Sequence, residues 1–351
     1  MKYYFLGLAL CLFYQIHAQT HPELPKPIGS YGISTIKNIE LSDTTRIERA
    51  ISGHEEFRKL NFDLFYPTDN SSLVKVPYWE NPKLYADVLD SLQFKIVNQG
   101  IKTNSAYLGR ISTRNQKYPL IIFSPGWQAT RLEFTILVEH LASMGNIVAI
   151  LDHPFMGYAN RNGALTPPTD QGFKSYEDFR DYLGADQLWV LHYLWKQNNS
   201  VNSILSGRIN TKKIVSIGQS AGFLSTKGAA LMDVRITKCV SLDAKLGNKE
   251  ELKNLKQDVL LLALERAVLH EDFNFKENVV ELAYRNAGHF SIADWTFLKT
   301  SPREMEPNAG STLLANYAAN IDLFIKEDTL DSFVKKIEKY PNLDVTLHKA
   351  H

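Results

Sequence analysis

Cysteine is scarce: the 351 residues contain only 2, Cys11 and Cys239. That excludes a disulfide-stapled scaffold and a zinc site built on paired cysteines. An excess of one charge is also lacking. The 39 basic and 38 acidic residues leave a formal net charge of +1. Proteins that bind nucleic acid usually carry a basic excess, so that class of partner is disfavoured. No glycine-rich dinucleotide fingerprint follows a strand, and His54-Glu55-Glu56 lacks the second histidine of a zinc helix. Neither a metal nor a cofactor is expected. Internal repeats and low-complexity tracts are absent too. What remains is 44% hydrophobic and 22% charged, enough apolar material for a sizeable core.

Long apolar runs are equally rare. The one at the start, Phe5 to Ile16, follows Lys2 and leads into Ile16-His17-Ala18. It falls short of the roughly 20 residues that cross a bilayer. A basic start, a short greasy centre and an Ala exit read as a signal peptide over 1–18. Lipidation at Cys11 is set aside, because Leu10 stands where a small residue is needed. The mature chain is thus expected to be exported, in a periplasm or outside the cell. It would keep Cys239 alone, as a buried and inert thiol in Cys239-Val240-Ser241-Leu242.

Residues 19–55 read as a lead-in stiffened by Pro22, Pro25 and Pro27, followed by a first strand. Residues 56–351 read as one α/β domain. From Pro119 onward, short consecutive apolar runs alternate with longer amphipathic ones. The runs Leu120 to Phe123, Ile147 to Leu151, Ile214 to Ile217, Cys239 to Leu242, Val259 to Leu264 and Val279 to Ala283 have the pattern of strands covered on both faces. Helices are expected from Leu132 to Met144 (stopped by Gly145), from near Ser175, and from Ser220 toward Met232. Two more are expected between Ser311 and Tyr340. The alternation predicts a mostly parallel sheet flanked by helices. Pro154 to Phe173 has no period and is expected to form a surface loop beside the working end of that sheet. Tyr78 and Trp79 are expected as packed aromatics of a surface turn, with contact to lipid or substrate the alternative.

Ile214 to Ile217 leads straight into Gly218-Gln219-Ser220-Ala221-Gly222 and then into a helix. A serine on a sharp strand-to-helix turn needs glycines two places either side, where a Cβ would clash. Its hydroxyl is a weak nucleophile until a base takes the proton, so a histidine and an orienting acid must follow. His289 comes after the last buried strand. Of the other histidines, His140 and His192 lie on expected helices, His54 and His153 precede Ser220, and His270 arrives one strand early. Chain order alone admits Asp243 or Glu265 as the acid. The developing oxyanion needs two N–H donors. Ala221 follows the nucleophile, and Ser124-Pro125-Gly126-Trp127, after an earlier strand, offers the Trp127 amide.

The segments Pro119 to Gly126, Leu141 to Ala149, the elbow, Ser241-Leu242-Asp243-Ala244 and His289 to Phe297 together resemble the platelet-activating factor acetylhydrolase branch of the α/β-hydrolases, over roughly Phe62 to Phe324. The resemblance implies the triad Ser220, Asp243 and His289 and ranks Asp243 above Glu265. It implies a serine esterase acting on short-acyl esters or on short-acyl or oxidised phospholipids; a small-molecule or lipid ester is the expected partner, with peripheral membrane contact as a further possibility. Two positions depart from the family: Pro125 where a histidine is common, and Gln219 in place of the elbow histidine. The Ser-Pro-Gly form also looks like cutinase-type polyester hydrolases. A hydrolase-like fold kept as a binding module is the reading from another class.

Overall fold

The computed structural model describes residues 24–49, 56–69, 74–84, 100–161, 164–169, 173–244, 249–264, 277–285, 287–294, 297, 311–339 and 345–349. The expected signal peptide, His54, Glu265 and His270 lie outside the described residues.

Six strands form a parallel core in the order β6 (Ile147–Leu151), β5 (Tyr118–Ser124), β9 (Ile209–Gln219), β10 (Lys238–Leu242), β11 (Asp258–Leu264) and β12 (Val279–Tyr284). All six expected runs are strands. Antiparallel β2 (Phe57–Thr68) continues the sheet beyond β6, followed by β1 (Gly32–Ile47), β4 (Lys102–Tyr107) and β3 (Lys75–Pro77). At the far edge β13 (Val345–Lys349) lies antiparallel to β12. From β5 the chain steps to β6 on one side and later to β9 on the other. The sheet therefore has its topological switch point between β5 and β9, the place where open α/β sheets open a crevice.

Both faces are covered, which explains the unbroken apolar runs. Ile121, Phe123, Val215, Ile217, Val240 and Leu260 pack on one face with α1 (Thr135–Ser143), α5 (Ser311–Lys326) and α6 (Leu330–Lys339). Leu120, Ile122, Ala149, Ile214, Cys239 and Val259 pack on the other with α2 (Tyr176–Asn198), α3 (Gly222–Met232) and α4 (Lys249–Asn254). Cys239 is buried and its thiol is pushed up by burial, which leaves it unreactive.

Local signals act as expected at several helix ends. The Ser175 hydroxyl accepts from the Asp178 amide at 3.1 Å and starts α2. Gly145, at φ +94, ends α1. The turn before α1 is 3-10 rather than α, over Arg131–Phe134, set by a capping box between Thr130 and Glu133.

Tyr78 and Trp79 are packed inside, as expected of the aromatics of that turn: Tyr78 Oη donates to the Leu132 carbonyl (2.6 Å) and lies 2.9 Å from Asp294 Oδ2. One expectation is corrected. The stretch from Pro154 is no plain surface loop. Phe155, Met156 and Ala159 are buried, and a two-stranded hairpin forms from β7 (Ala159–Arg161) and β8 (Ala164–Thr166). No described helix is long and apolar enough to cross a membrane.

Candidate active site

The elbow sits at the carboxyl end of β9, at the switch point. Ser220 has φ +50, a left-handed conformation that a serine adopts only under constraint. Its backbone is held by two bonds: its amide donates to Leu242 O at 2.9 Å, and its carbonyl accepts from Phe223 N at 3.1 Å. The flanking glycines are obligatory on distance alone. A Cβ on Gly218 would lie 2.4 Å from Gly222, and one on Gly222 would lie 2.2 Å from the Ser124 carbonyl oxygen.

Asp243 follows β10, the neighbouring strand, and is also left-handed at φ +49. Its amide donates to Leu262 O at 2.8 Å, while its Oδ1 accepts from Leu264 N at 3.1 Å. Both bonds tie it to β11 and fix the carboxylate. Its free oxygen, Oδ2, lies 2.5 Å from His289 Nδ1. His289 begins a short 3-10 turn, His289–Ile292, closed by the Ser291 hydroxyl, which accepts from Gly288 N at 2.9 Å. That turn is anchored from behind by buried Asp294, whose carboxylate accepts from Tyr78 Oη and Ile136 N and whose amide donates to Glu133 O. Burial pushes the Asp294 carboxyl well above its ordinary range.

With Nδ1–H donated to Asp243, His289 Nε2 carries the lone pair. It receives the Gln219 side-chain amide at 3.3 Å, one residue before Ser220. The imidazole thus stands at the elbow, on the same rim as Ser220. Among the described residues no hydrogen bond joins Ser220 to His289. Catalytic bonds are often long or unmade in a free enzyme and tighten around substrate.

The expected oxyanion residues also reach this rim. Gly126, the residue before Trp127, lies so close to the elbow that a Cβ there would meet the Ser220 Cβ at 2.9 Å. Ala221 caps α3, so its N–H is one of the free donors at a helix start. Among the described residues neither amide donates to a backbone acceptor. The Trp127 ring is half-exposed and Phe290, stacked edge-on against His289, is exposed.

The histidines set aside have other partners. His140 is buried and accepts from Ile28 N, and His192 stacks on Trp189. His153, passed over for its early place in the chain, is fully engaged in a buried network with Ser124 and Asp186. No spacing signal in the sequence links those three residues.

A mostly parallel sheet, a strained serine between strand and helix, and an aspartate–histidine pair at the next strand ends define the α/β-hydrolase fold. Within it, residues 17–157 match the family described as platelet-activating factor acetylhydrolase, isoform II. That stretch runs through β6 and includes Trp127; the elbow, Asp243 and His289 lie beyond it. The chain is also similar to a ferulic acid esterase from Streptomyces cinnamoneus, with a TM-score of 0.66 and 21% identity over 94% of this chain and 100% of that one.

Proposed function

We propose that the chain is an exported serine esterase that cleaves short-acyl carboxylic esters. The observation that carries this reading is the 2.5 Å pair of Asp243 Oδ2 and His289 Nδ1 beside a nucleophile elbow. Substrate brings the Ser220 hydroxyl onto His289 Nε2 in place of the long Gln219 contact. Ser220 Oγ then attacks the ester carbonyl carbon while Nε2 takes its proton. Asp243 holds the tautomer and stabilises the imidazolium. The Trp127 and Ala221 amides receive the oxyanion. Collapse expels the alcohol, which takes the proton from Nε2 and leaves an acyl-Ser220. Water, deprotonated by His289, releases the acid and restores the hydroxyl.

The family match supports short-acyl or oxidised phospholipids as substrates, approached from the membrane surface. A second reading, a polyester or triglyceride hydrolase, is favoured by Trp127 and Phe290, 48% and 67% exposed at an open rim. The ferulic acid esterase likeness adds aromatic esters to the panel. A fluorophosphonate should label wild type at Ser220 and not Ser220→Ala, which should fold normally and lose all turnover. A folded wild type that takes no label would leave a binding module instead. Hydrolysis of short aryl esters, short-acyl phospholipids, triglycerides and polymer films then orders the substrates. N-terminal sequencing of the exported protein should begin at Gln19.

A further inference from the structure

A second serine–histidine–aspartate chain lies beneath the first. Ser124 Oγ is 2.8 Å from His153 Nε2, and His153 Nδ1 is 2.8 Å from Asp186 Oδ2. The chemistry resembles that at Ser220, but the exposure is opposite. The His289 side chain is 38% exposed and that of His153 is 0% exposed, with Ser124 and Asp186 equally sealed. No ester can reach Ser124, so it is not a second nucleophile.

Its position shows what it can do. Ser124 ends β5, three residues before the oxyanion donor Trp127. Its hydroxyl also accepts from Gln187 Nε2 of α2 at 2.8 Å and donates to Ser225 Oγ of α3 at 3.2 Å. Ser225 follows the other donor, Ala221, by one helical turn and is itself pinned to Leu183 O at 2.9 Å. One hydroxyl therefore links the strand bearing the first donor to the helix bearing the second.

The far side of Trp127 is held by the same histidine's turn. Gln128 N, the next amide along, donates to Met156 O at 3.0 Å. Met156 N and Gly157 N fold back onto His153 O, both at 3.1 Å. The fit is tight, since a Cβ on Gly157 would meet Ala129 O at 2.1 Å. Asp186 fixes the histidine in turn. Burial alone would raise its carboxyl, but Arg58 and Arg46 outweigh that and hold it far below the carboxylate range. Arg58 also donates to Pro154 O at 3.2 Å, so the same guanidinium grips the turn.

We propose that Ser124, His153 and Asp186 form a positioning network that clamps the Trp127 amide on both sides and sets its spacing from Ala221. This rests on the serine esterase reading. Its signature is a loss confined to the transition state, where the oxyanion is bound, with ground-state binding spared.

Histidine can be replaced by either half of its function. Gln at 153 reaches the Nε2 position and keeps a partner for Ser124; Asn reaches only the Nδ1 position and keeps Asp186. With purified full-length mature protein and a short aryl ester, His153→Asn and Ser124→Ala should lower kcat about 10- to 100-fold with KM within about twofold. That is less than the ~100- to 1,000-fold for outright loss of an oxyanion donor. A trifluoromethyl ketone, which forms the tetrahedral adduct, should weaken by the same factor as kcat/KM. His153→Gln should recover most of kcat although all three variants melt earlier. Equal kcat in Ser124→Ala and wild type, or equal losses in the Gln and Asn variants, would overturn the proposal. If Ser124→Ala fails to fold, the His153 pair decides alone. Absence of turnover and fluorophosphonate labelling in wild type would instead refute the esterase reading.

Discussion

Asp243→Asn puts the proposed triad to its sharpest test, because the structure dictates how the amide must sit. Asp243 uses Oδ1 to accept from Leu264 N and Oδ2 to meet His289 Nδ1. In the variant the Leu264 amide still needs an acceptor, so the Asn oxygen takes the Oδ1 place. The NH2 group then faces Nδ1 and donates to it. The ring is forced to carry its proton on Nε2, the atom that must receive one from Ser220. The imidazolium also loses its counter-charge. In serine hydrolases with this arrangement the wrong tautomer lowers kcat about 10⁴-fold, equivalent to about 5 kcal/mol of transition-state stabilisation. Shape and volume barely change, so the melting temperature should stay within a few degrees. The assay is steady-state hydrolysis of a short aryl ester at neutral pH, run beside a thermal melt. A variant retaining kcat within tenfold of wild type would refute the assignment of Asp243. Glu265→Gln, run in parallel, should be near wild type; if that variant is the crippled one, Glu265 is the acid.

Three further outcomes follow from buried charge. Arg58, with no exposed side-chain surface, pairs with Glu48 at 2.7 Å and Asp186 at 2.6 Å; Arg58→Leu should take from each buried carboxylate one cationic partner, Asp186 keeping Arg46 and His153, and cost up to about 3–5 kcal/mol in urea unfolding, whereas a loss under ~1 kcal/mol would mean that the remaining partners or water compensate them. Asp294 is favoured as the neutral acid by its burial, so Asp294→Asn should cost under ~1 kcal/mol in urea unfolding, while Asp294→Ala leaves Ile136 N without its acceptor, although Tyr78 Oη keeps the Leu132 carbonyl, and should cost about 1–3 kcal/mol; equal costs would contradict the neutral form. Glu281 is raised by burial from 4.5 to about 7, and its Oε1 has no partner among the described residues. Below pH 4.5 both folded and unfolded forms are protonated and nothing is lost. Between 4.5 and about 7 only the unfolded chain ionises, so stability falls as pH rises, then levels off. Glu281→Gln should flatten that fall in melts taken from pH 4 to 8; parallel curves would show that Glu281 ionises freely in the fold.

The sheet was legible where both faces are buried, because six consecutive apolar runs admit no other arrangement at that length. The edge strands were not. β3 has three residues and β13 is outermost, so neither carries a run long enough to stand out from loop. Val76 to Trp79 looked like a turn because Pro77 punctuates it, yet the partners of Tyr78 lie 54 and 216 residues away. The elbow and its helix were legible because their requirements are local: small residues at fixed offsets around a serine. Asp243 and His289 were legible only as strand-end residues in the right order, with Glu265 equally admissible until the family resemblance was used. His153 exposes the limit of that logic. Order set it aside as the base, but order cannot assign it to Ser124 and Asp186, 29 and 33 residues away. Two sets of the same three residue types differ in what surrounds them. One opens to solvent at a strained turn, while the other is sealed among two arginines, a glutamine and the first turn of α3. Access, a property of the packed whole, separates a group that can meet a substrate from one that can only hold its neighbours in place.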